Sequence, residues 1–188
     1  MVLAQDRNVY EQIFMRQAGE TTPTVNGLAF LARTNNQFAV FLPILVIPPV
    51  DLCFGQAATI IGTDEDDVIV GTPGDDVIVA KDGNDSITGG EGDDLICGGP
   101  GDDSIGGNQG RDRIDGNMGN DIIGGGQGDD VLHGGQGDDI IYGRLGNDKI
   151  YGDLGDDQID GDEGYNLVFG GDGTDICASN VGNFECEN

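Results

Sequence analysis

From Gly62 onward the chain repeats itself every nine residues without insertion or deletion, and thirteen such blocks carry the pattern to Ala178. Three consecutive blocks read GGEGDDLIC (89–97), GGPGDDSIG (98–106) and GNQGRDRID (107–115). The fourth position is Gly in twelve blocks, Glu65 being the exception, and the sixth is Asp in twelve, Asn166 being the exception. The eighth is Ile in ten blocks and otherwise Leu132, Val168 or Cys177, while the first is Gly everywhere but Ala80. A short unbroken period of this kind points to a solenoid, in which no unit buries its apolar side alone and stability comes from stacking.

Elementary stereochemistry gives each position a task. Glycines at positions one, four and often two are expected to take positive φ in a tight turn, where a Cβ would be costly. The last three residues, with a branched apolar residue in the middle, suit a brief strand. In it position eight faces inward and positions seven and nine face outward. Two blocks make one coil of eighteen residues, with a turn and a strand on each side. Coils stacked roughly 4.8 Å apart place Ile upon Ile in a thin two-row core. The expected fold is all-β: a parallel β-roll, that is a β-helix solenoid, of about thirteen nonapeptide repeats, with a small N-terminal arm or cap and a short C-terminal cap.

Charge narrows the partners. The chain carries −27, and residues 62–178 alone hold 29 acids against five bases. Such a chain repels nucleic-acid phosphates and anionic membranes, and it favours cations. The repeat brings the position-six Asp beside glycine carbonyls, and the equivalent turn two blocks on brings another set. That is an all-oxygen pocket, suited to a hard cation with six to eight ligands at about 2.3–2.6 Å. Nitrogen and sulfur ligands are missing from these positions, which argues against Zn²⁺ and Cu²⁺. Mg²⁺ fits poorly because it demands strict octahedral geometry and keeps its waters.

The block resembles the GGxGxDxUx nonapeptide of the repeats-in-toxin (RTX, haemolysin-type) calcium-binding family. The resemblance implies Ca²⁺ ions held between successive turns on each edge of the roll. Carried over residue by residue, the metal-binding carboxylates are Asp67, Asp76, Asp85, Asp94, Asp103, Asp112, Asp121, Asp130, Asp139, Asp148, Asp157 and Asp175. Carbonyls would come from Gly74, Gly83, Gly92, Gly101, Gly110, Gly119, Gly128, Gly137, Gly146, Gly155, Gly164 and Gly173. Glu65 and Asn166 depart from the pattern and put the sites using those turns in doubt. Pairing each turn with the one two blocks on allows up to about eleven Ca²⁺ in thirteen blocks, nearly balancing the array's −24. Without ions, like charges would stack coil upon coil. Low hydrophobicity and high charge then predict a disordered chain whose folding is coupled to metal binding.

Chemistry of other kinds finds no footing. His133 is the sole histidine and occupies an outward ninth position, and neighbouring acids such as Asp75 and Asp76 recur as part of the repeat. No GxxxxGK[ST] phosphate loop is present, and a twelve-residue EF-hand loop does not fit a period of nine. No catalytic residues are expected and the chain reads as a non-enzyme.

A solenoid's ends need covers. The four cysteines fall near the two ends, so Cys53–Cys97 and Cys177–Cys186 are the expected disulfides, although four cysteines allow three pairings and free thiols are the alternative. Disulfides imply an oxidising compartment. The only long apolar run, FAVFLPILVIPPV at 38–50, is too short and proline-rich for a transmembrane helix. It reads either as the apolar core of a secretion signal spanning 33–57, with cleavage at Gly55-Gln56-Ala57, or as an arm capping the first coil, where Val68, Val70, Val77 and Val79 are unusually apolar. The division is therefore 1–57 as leader or capping arm, with a short helix near 7–17; 58–178 as the calcium-binding roll; and 179–188 as C-terminal cap.

His133, Tyr151 and Phe169 recur at eighteen-residue spacing and are expected to stack in an outward column, bracing neighbouring strands or offering a glycan or protein contact. The favoured reading is a secreted or cell-surface Ca²⁺-dependent structural or adhesive module, able to self-associate through its open edges. The alternative is a calcium-dependent accessory or secretion module of a secreted enzyme or toxin. Ice binding would require a regular outward Thr/Asn array, which the blocks lack.

Overall fold

The computed structural model describes residues 51–178 and the backbone of 181–185. Two parallel sheets face each other across a single layer of side chains. One runs through Val68–Val70, Ser86–Glu91, Ser104–Gln109, Ile122–Gln127, Ile140–Leu145, Gln158–Asp160 and Ile176–Ala178. The other runs through Ile60–Ile61, Val77–Val79, Leu95–Pro100, Arg113–Met118, Val131–Gln136, Lys149–Leu154, Tyr165–Asp172 and Val181–Glu185. Along the roll each strand pairs in parallel with the strand two along in sequence, at an offset of eighteen residues, as in Ile87 with Ile105, Ile105 with Ile123, and Ile123 with Ile141; the last strand, Val181–Glu185, joins at an offset of sixteen, Tyr165 with Val181. The chain is thus an all-β parallel solenoid of about seven turns, with no helix among the described residues.

The inward row is the one the period predicts. Ile69, Ile78, Ile87, Ile96, Ile105, Ile114, Ile123, Leu132, Ile141, Ile150, Ile159 and Val168 form one buried cluster, with Ala80 inside it and Ile60 and Cys177 packed against it. Branched chains suit this place because they lose little freedom in a strand and fill a gap one side chain thick.

Two details differ from expectation. The central strands are six residues long, not three, since each runs from position seven through position three of the next block, as in Ser86–Glu91. Position-one glycines therefore lie inside strands: Gly107, Gly116 and Gly125 are buried, and none of the position-one glycines has positive φ. Their lack of a side chain serves space, not a turn. Positive φ falls instead at position four from Gly83 onward and at position two, including the non-glycine Lys81, Asn108, Asn117, Arg144, Asp153 and Asp162.

The expected Cys53–Cys97 disulfide is present, with Cα atoms 5.7 Å apart. Cys53 ends the first strand of a small antiparallel hairpin, Leu52–Cys53 against Gln56–Ala57, turned by Phe54 and Gly55 at positive φ. The guanidinium carbon of Arg113 lies 3.9 Å from the centre of the Phe54 ring, so the hairpin covers the outer side of the sheet around Cys97 and Arg113. A bridge closing a loop of this size contributes about 2–4 kcal/mol. Val68, at 82% exposure, and Val70 stay open, whereas Val77 and Val79 are half-buried. Cys177 is disulfide-bonded; Cys186, its expected partner, lies outside the described residues, as do the helix near 7–17 and the apolar run 38–50. No described helix is long and apolar enough to cross a membrane.

Candidate metal centres along the turns

Each turn delivers its position-six side chain into the roll, because the strand that follows must place position eight inward and position six shares that parity. Asp76, Asp85, Asp94, Asp103, Asp112, Asp121, Asp130, Asp139, Asp148, Asp157 and Asp175 are all buried, in line along the two edges. Asp67, in the first block, is half-buried.

One oxygen of each later carboxylate has a fixed partner. Oδ1 of Asp94 accepts from the N–H of Asp76 at 2.8 Å, and Oδ1 of Asp121 accepts from Asp103 N–H at 2.8 Å. The same bond runs through Asp139 and Asp157, always from the turn one coil earlier. A second ladder runs the opposite way at position five. Asn120 N–H donates to Asp102 Oδ1 and Asp138 N–H to Asn120 Oδ1, each at 2.8 Å. The sequence showed the acidic pairs but not this division of labour. Position five braces the turn from outside, whereas position six points within. At Arg111 position five has no acceptor, and its guanidinium pairs with Asp93 instead.

The other oxygen of the position-six carboxylate is the exceptional group. Oδ2 of Asp85, Asp94, Asp103, Asp112, Asp121, Asp130, Asp139, Asp148, Asp157 and Asp175 is buried and meets no hydrogen-bond donor among the described residues. A buried, unpaired carboxylate oxygen is expensive unless a charge or proton reaches it. The position-one glycines mark what surrounds it: a Cβ on Gly116 would strike Asp121 Oδ2 and come within 2.6 Å of the Gly134 carbonyl oxygen, one coil on. Carboxylate and main-chain oxygens thus converge on one place. Gly116→Ala is expected to lower stability by about 1–3 kcal/mol through overpacking. Gly124→Ala, at an outward position with nothing within 4 Å, is expected to be neutral or slightly stabilising. Thermal melts of the two variants in Ca²⁺ check the contrast.

Asn166 is a natural control. Its Oδ1 accepts from Asp148 N–H at 2.9 Å, as an aspartate would, and its Nδ2 donates to the Gly161 carbonyl at 2.5 Å. Where asparagine supplies a proton, aspartate presents a second acceptor. Only a proton or a cation satisfies two facing oxygens.

Proton affinity registers the same demand. Burial, the largest cause, pushes Asp103, Asp130 and Asp139 up to about 7, partly offset by the main-chain hydrogen bond to Oδ1. Asp112, Asp121, Asp148 and Asp157 rise to about 6 for the same reason. Asp85 and Asp94 are raised as well. The donor set is oxygen only and suits a hard divalent ion. No group of three or more His, Cys, Asp or Glu side chains converges among the described residues, so carbonyls must complete any coordination shell.

The remaining expected positions divide. Position-four glycines from Gly83 to Gly173 sit in tight register with the turn one coil before. A Cβ on Gly119 would strike the Gly101 carbonyl, for example. Gly74 has no earlier coil to meet, and its φ is not positive. Asp67 and Asp76 also differ: Oδ2 of each already accepts from the N–H and hydroxyl of Thr63 and Thr72, respectively. The aromatic column forms as expected, with ring centres 4.5 Å apart between His133 and Tyr151 and 5.1 Å between Tyr151 and Phe169. His133 Nδ1 lies 2.9 Å from Asp153 Oδ2 and faces no nucleophile in the described contacts, which suits a bracing role.

Comparison with curated proteins gives no match. The profile of the RTX calcium-binding nonapeptide repeat matches residues 57–79, 70–105, 98–132, 124–159 and 151–183, so it covers the coils and the turns just described. The repeat is a structural calcium-binding fold, and on this evidence the chain belongs to the RTX calcium-binding nonapeptide repeat family.

Proposed function

We propose that this Ca²⁺-binding repeat protein is an extracellular structural or adhesive module whose roll orders when Ca²⁺ enters between successive turns. The observation that carries the reading is the row of buried Oδ2 atoms, none of which meets a donor among the described residues. The ligands would be the position-six aspartates from Asp85 to Asp157 together with Asp175, with glycine carbonyls of positions one and four completing each shell. A bound divalent ion neutralises the carboxylates and links oxygens of adjacent coils. The chain's own part is to hold each carboxylate at a fixed angle through the Oδ1 bond and to clear space for the ion with glycine.

Placement outside the cell is supported by the Cys53–Cys97 bridge, which persists in oxidising compartments. Extracellular Ca²⁺ modules typically bind at roughly 10⁻⁴–10⁻³ M, a level met outside cells but not within. In this reading residues 1–57 are a leader or capping arm, 58–178 the roll and 179–188 a cap closed by Cys177–Cys186. Self-association is supported by the exposed valines of the edge strand Val68–Val70. Electron microscopy of the full chain is expected to show filaments or oligomers in millimolar Ca²⁺ and dispersed particles in EDTA. Monomers under both conditions would remove the assembly part of the proposal.

A further inference from the structure

The first coil satisfies its carboxylates by a different device from the coils that follow. Thr63 and Thr72 are the only threonines at position two. Both stay out of the left-handed region, which a β-branched residue avoids. With position two held so, the Thr63 N–H and hydroxyl reach Asp67 Oδ2 at 2.6 and 2.9 Å. Those of Thr72 reach Asp76 Oδ2 at the same distances. The Thr59 hydroxyl adds a bond to Asp76 Oδ1 at 3.3 Å.

From Lys81 onward position two adopts positive φ in block after block, whether Gly90, Asn108, Asn117 or Arg144 occupies it. Those residues give Oδ2 no donor, and the unpartnered oxygens begin at Asp85. Two threonines therefore separate a coil completed by protein donors from coils that require a cation. The same coil is anchored independently. Ile60 pairs with Ile78, Thr59 N–H bonds to Val77 O at 2.7 Å and Gly62 N–H to Val79 O at 2.8 Å. Ile78, Ala80 and Cys53 are fully buried, and the disulfide ties the hairpin beside Ile78 to the next coil at Cys97.

We propose that Thr63 and Thr72 close the first coil to cations, so that residues 59–79 order without Ca²⁺ and seed the cation-driven stacking of the coils after them. This rests on the reading that Ca²⁺ fills the later turns. Folding of the roll is then polarised from its N-terminal end, and the ion acts on a chain that already presents one finished template edge.

The test is hydrogen exchange with mass spectrometry on the full disulfide-bonded chain, in EDTA and in Ca²⁺. In EDTA, peptides from 59–79 are expected to exchange at least about tenfold more slowly than those from 98–157, and Ca²⁺ to protect both. The double variant Thr63→Gly/Thr72→Gly is expected to lose the EDTA protection of 59–79 while still folding in Ca²⁺. Thr63→Ser/Thr72→Ser, which keeps both hydroxyls but gives up the β-branch that holds position two out of the left-handed region, is expected to retain only part of it. Equal, fast exchange of both regions of the parent chain in EDTA, with protection restored by Ca²⁺, overturns this inference and leaves the calcium reading standing. Protection of 59–79 that survives in the glycine variant overturns it as well. Slow exchange along the whole roll in EDTA overturns the calcium reading itself.

Discussion

Excess EDTA is expected to abolish most of the β-sheet circular dichroism of this chain, and Ca²⁺ returned at roughly 10⁻⁴–10⁻³ M to restore it cooperatively. The size of the effect follows from what opposes stacking. Residues 62–178 carry a net −24, and the position-six carboxylates repeat once per coil along each edge. Favouring the roll there is only a core one side chain thick, mostly isoleucine, with Gly124 and Gly106 bare on the outside. Ten position-six carboxylates bury an oxygen without a donor among the described residues, and each such group left charged costs more than a buried isoleucine returns. The transition is therefore large, not a shift of a few degrees. A β signal unchanged by chelation, with an unchanged melting temperature, would show that the carboxylates are satisfied some other way.

Acid is expected to stand in for the ion. Asp103, Asp130 and Asp139 titrate near 7 in the folded chain and Asp112, Asp121, Asp148 and Asp157 near 6, against the ordinary aspartate value of 3.8. A folded state with raised values binds more protons than the unfolded chain across the window from about 7 down to about 4. Its stability therefore rises as pH falls through that window and is lost as pH rises through 6–7. In EDTA the β signal is expected to be weak at pH 7.5 and to grow substantially by pH 5. In Ca²⁺ the dependence reverses at the level of binding: protons compete for Oδ2, so apparent affinity falls as pH falls, and Ca²⁺ uptake by the acid-ordered chain near pH 5 releases protons whereas uptake by the disordered, already ionised chain at pH 7.5 releases few. Circular dichroism across pH in EDTA, with proton release measured by calorimetry in buffers of different ionisation heat, checks both halves. Loss of β structure on acidification in EDTA would contradict the burial argument.

Much of this is legible in the amino-acid sequence itself. A strict period with Ile at position eight determines which side chain faces inward. Two blocks per coil determine that His133, Tyr151 and Phe169 meet. The Cys53–Cys97 pairing followed from where a staple would be needed. What stayed hidden concerns residues whose absence of side chain has two causes. Glycine at position one resembles glycine at position four in the sequence, yet Gly116 makes room beside Asp121 within a strand whereas Gly119 takes positive φ in the turn. The repeat marks position six as the ligand, but the reverse ladder that position five makes outside the turn, as where Asp75 Oδ1 accepts from Asp93 N–H, was hidden because it exists only once neighbouring coils are stacked. Nothing in the repeat pattern singles out Thr63 and Thr72. Their effect appears only with the backbone, where a β-branched residue keeps position two from turning its N–H away from the carboxylate.

The central claim is that a Ca²⁺ ion lies against the unpartnered Oδ2 of the later turns. Anomalous difference density from crystals grown in Ca²⁺ tests it most directly. Peaks are expected beside Oδ2 of Asp103, Asp121 and Asp139, within about 2.3–2.6 Å of carboxylate and carbonyl oxygens, and none beside the side-chain amide of Asn166. Well-ordered turns whose Oδ2 atoms contact only water, with no anomalous signal on either edge, would contradict it.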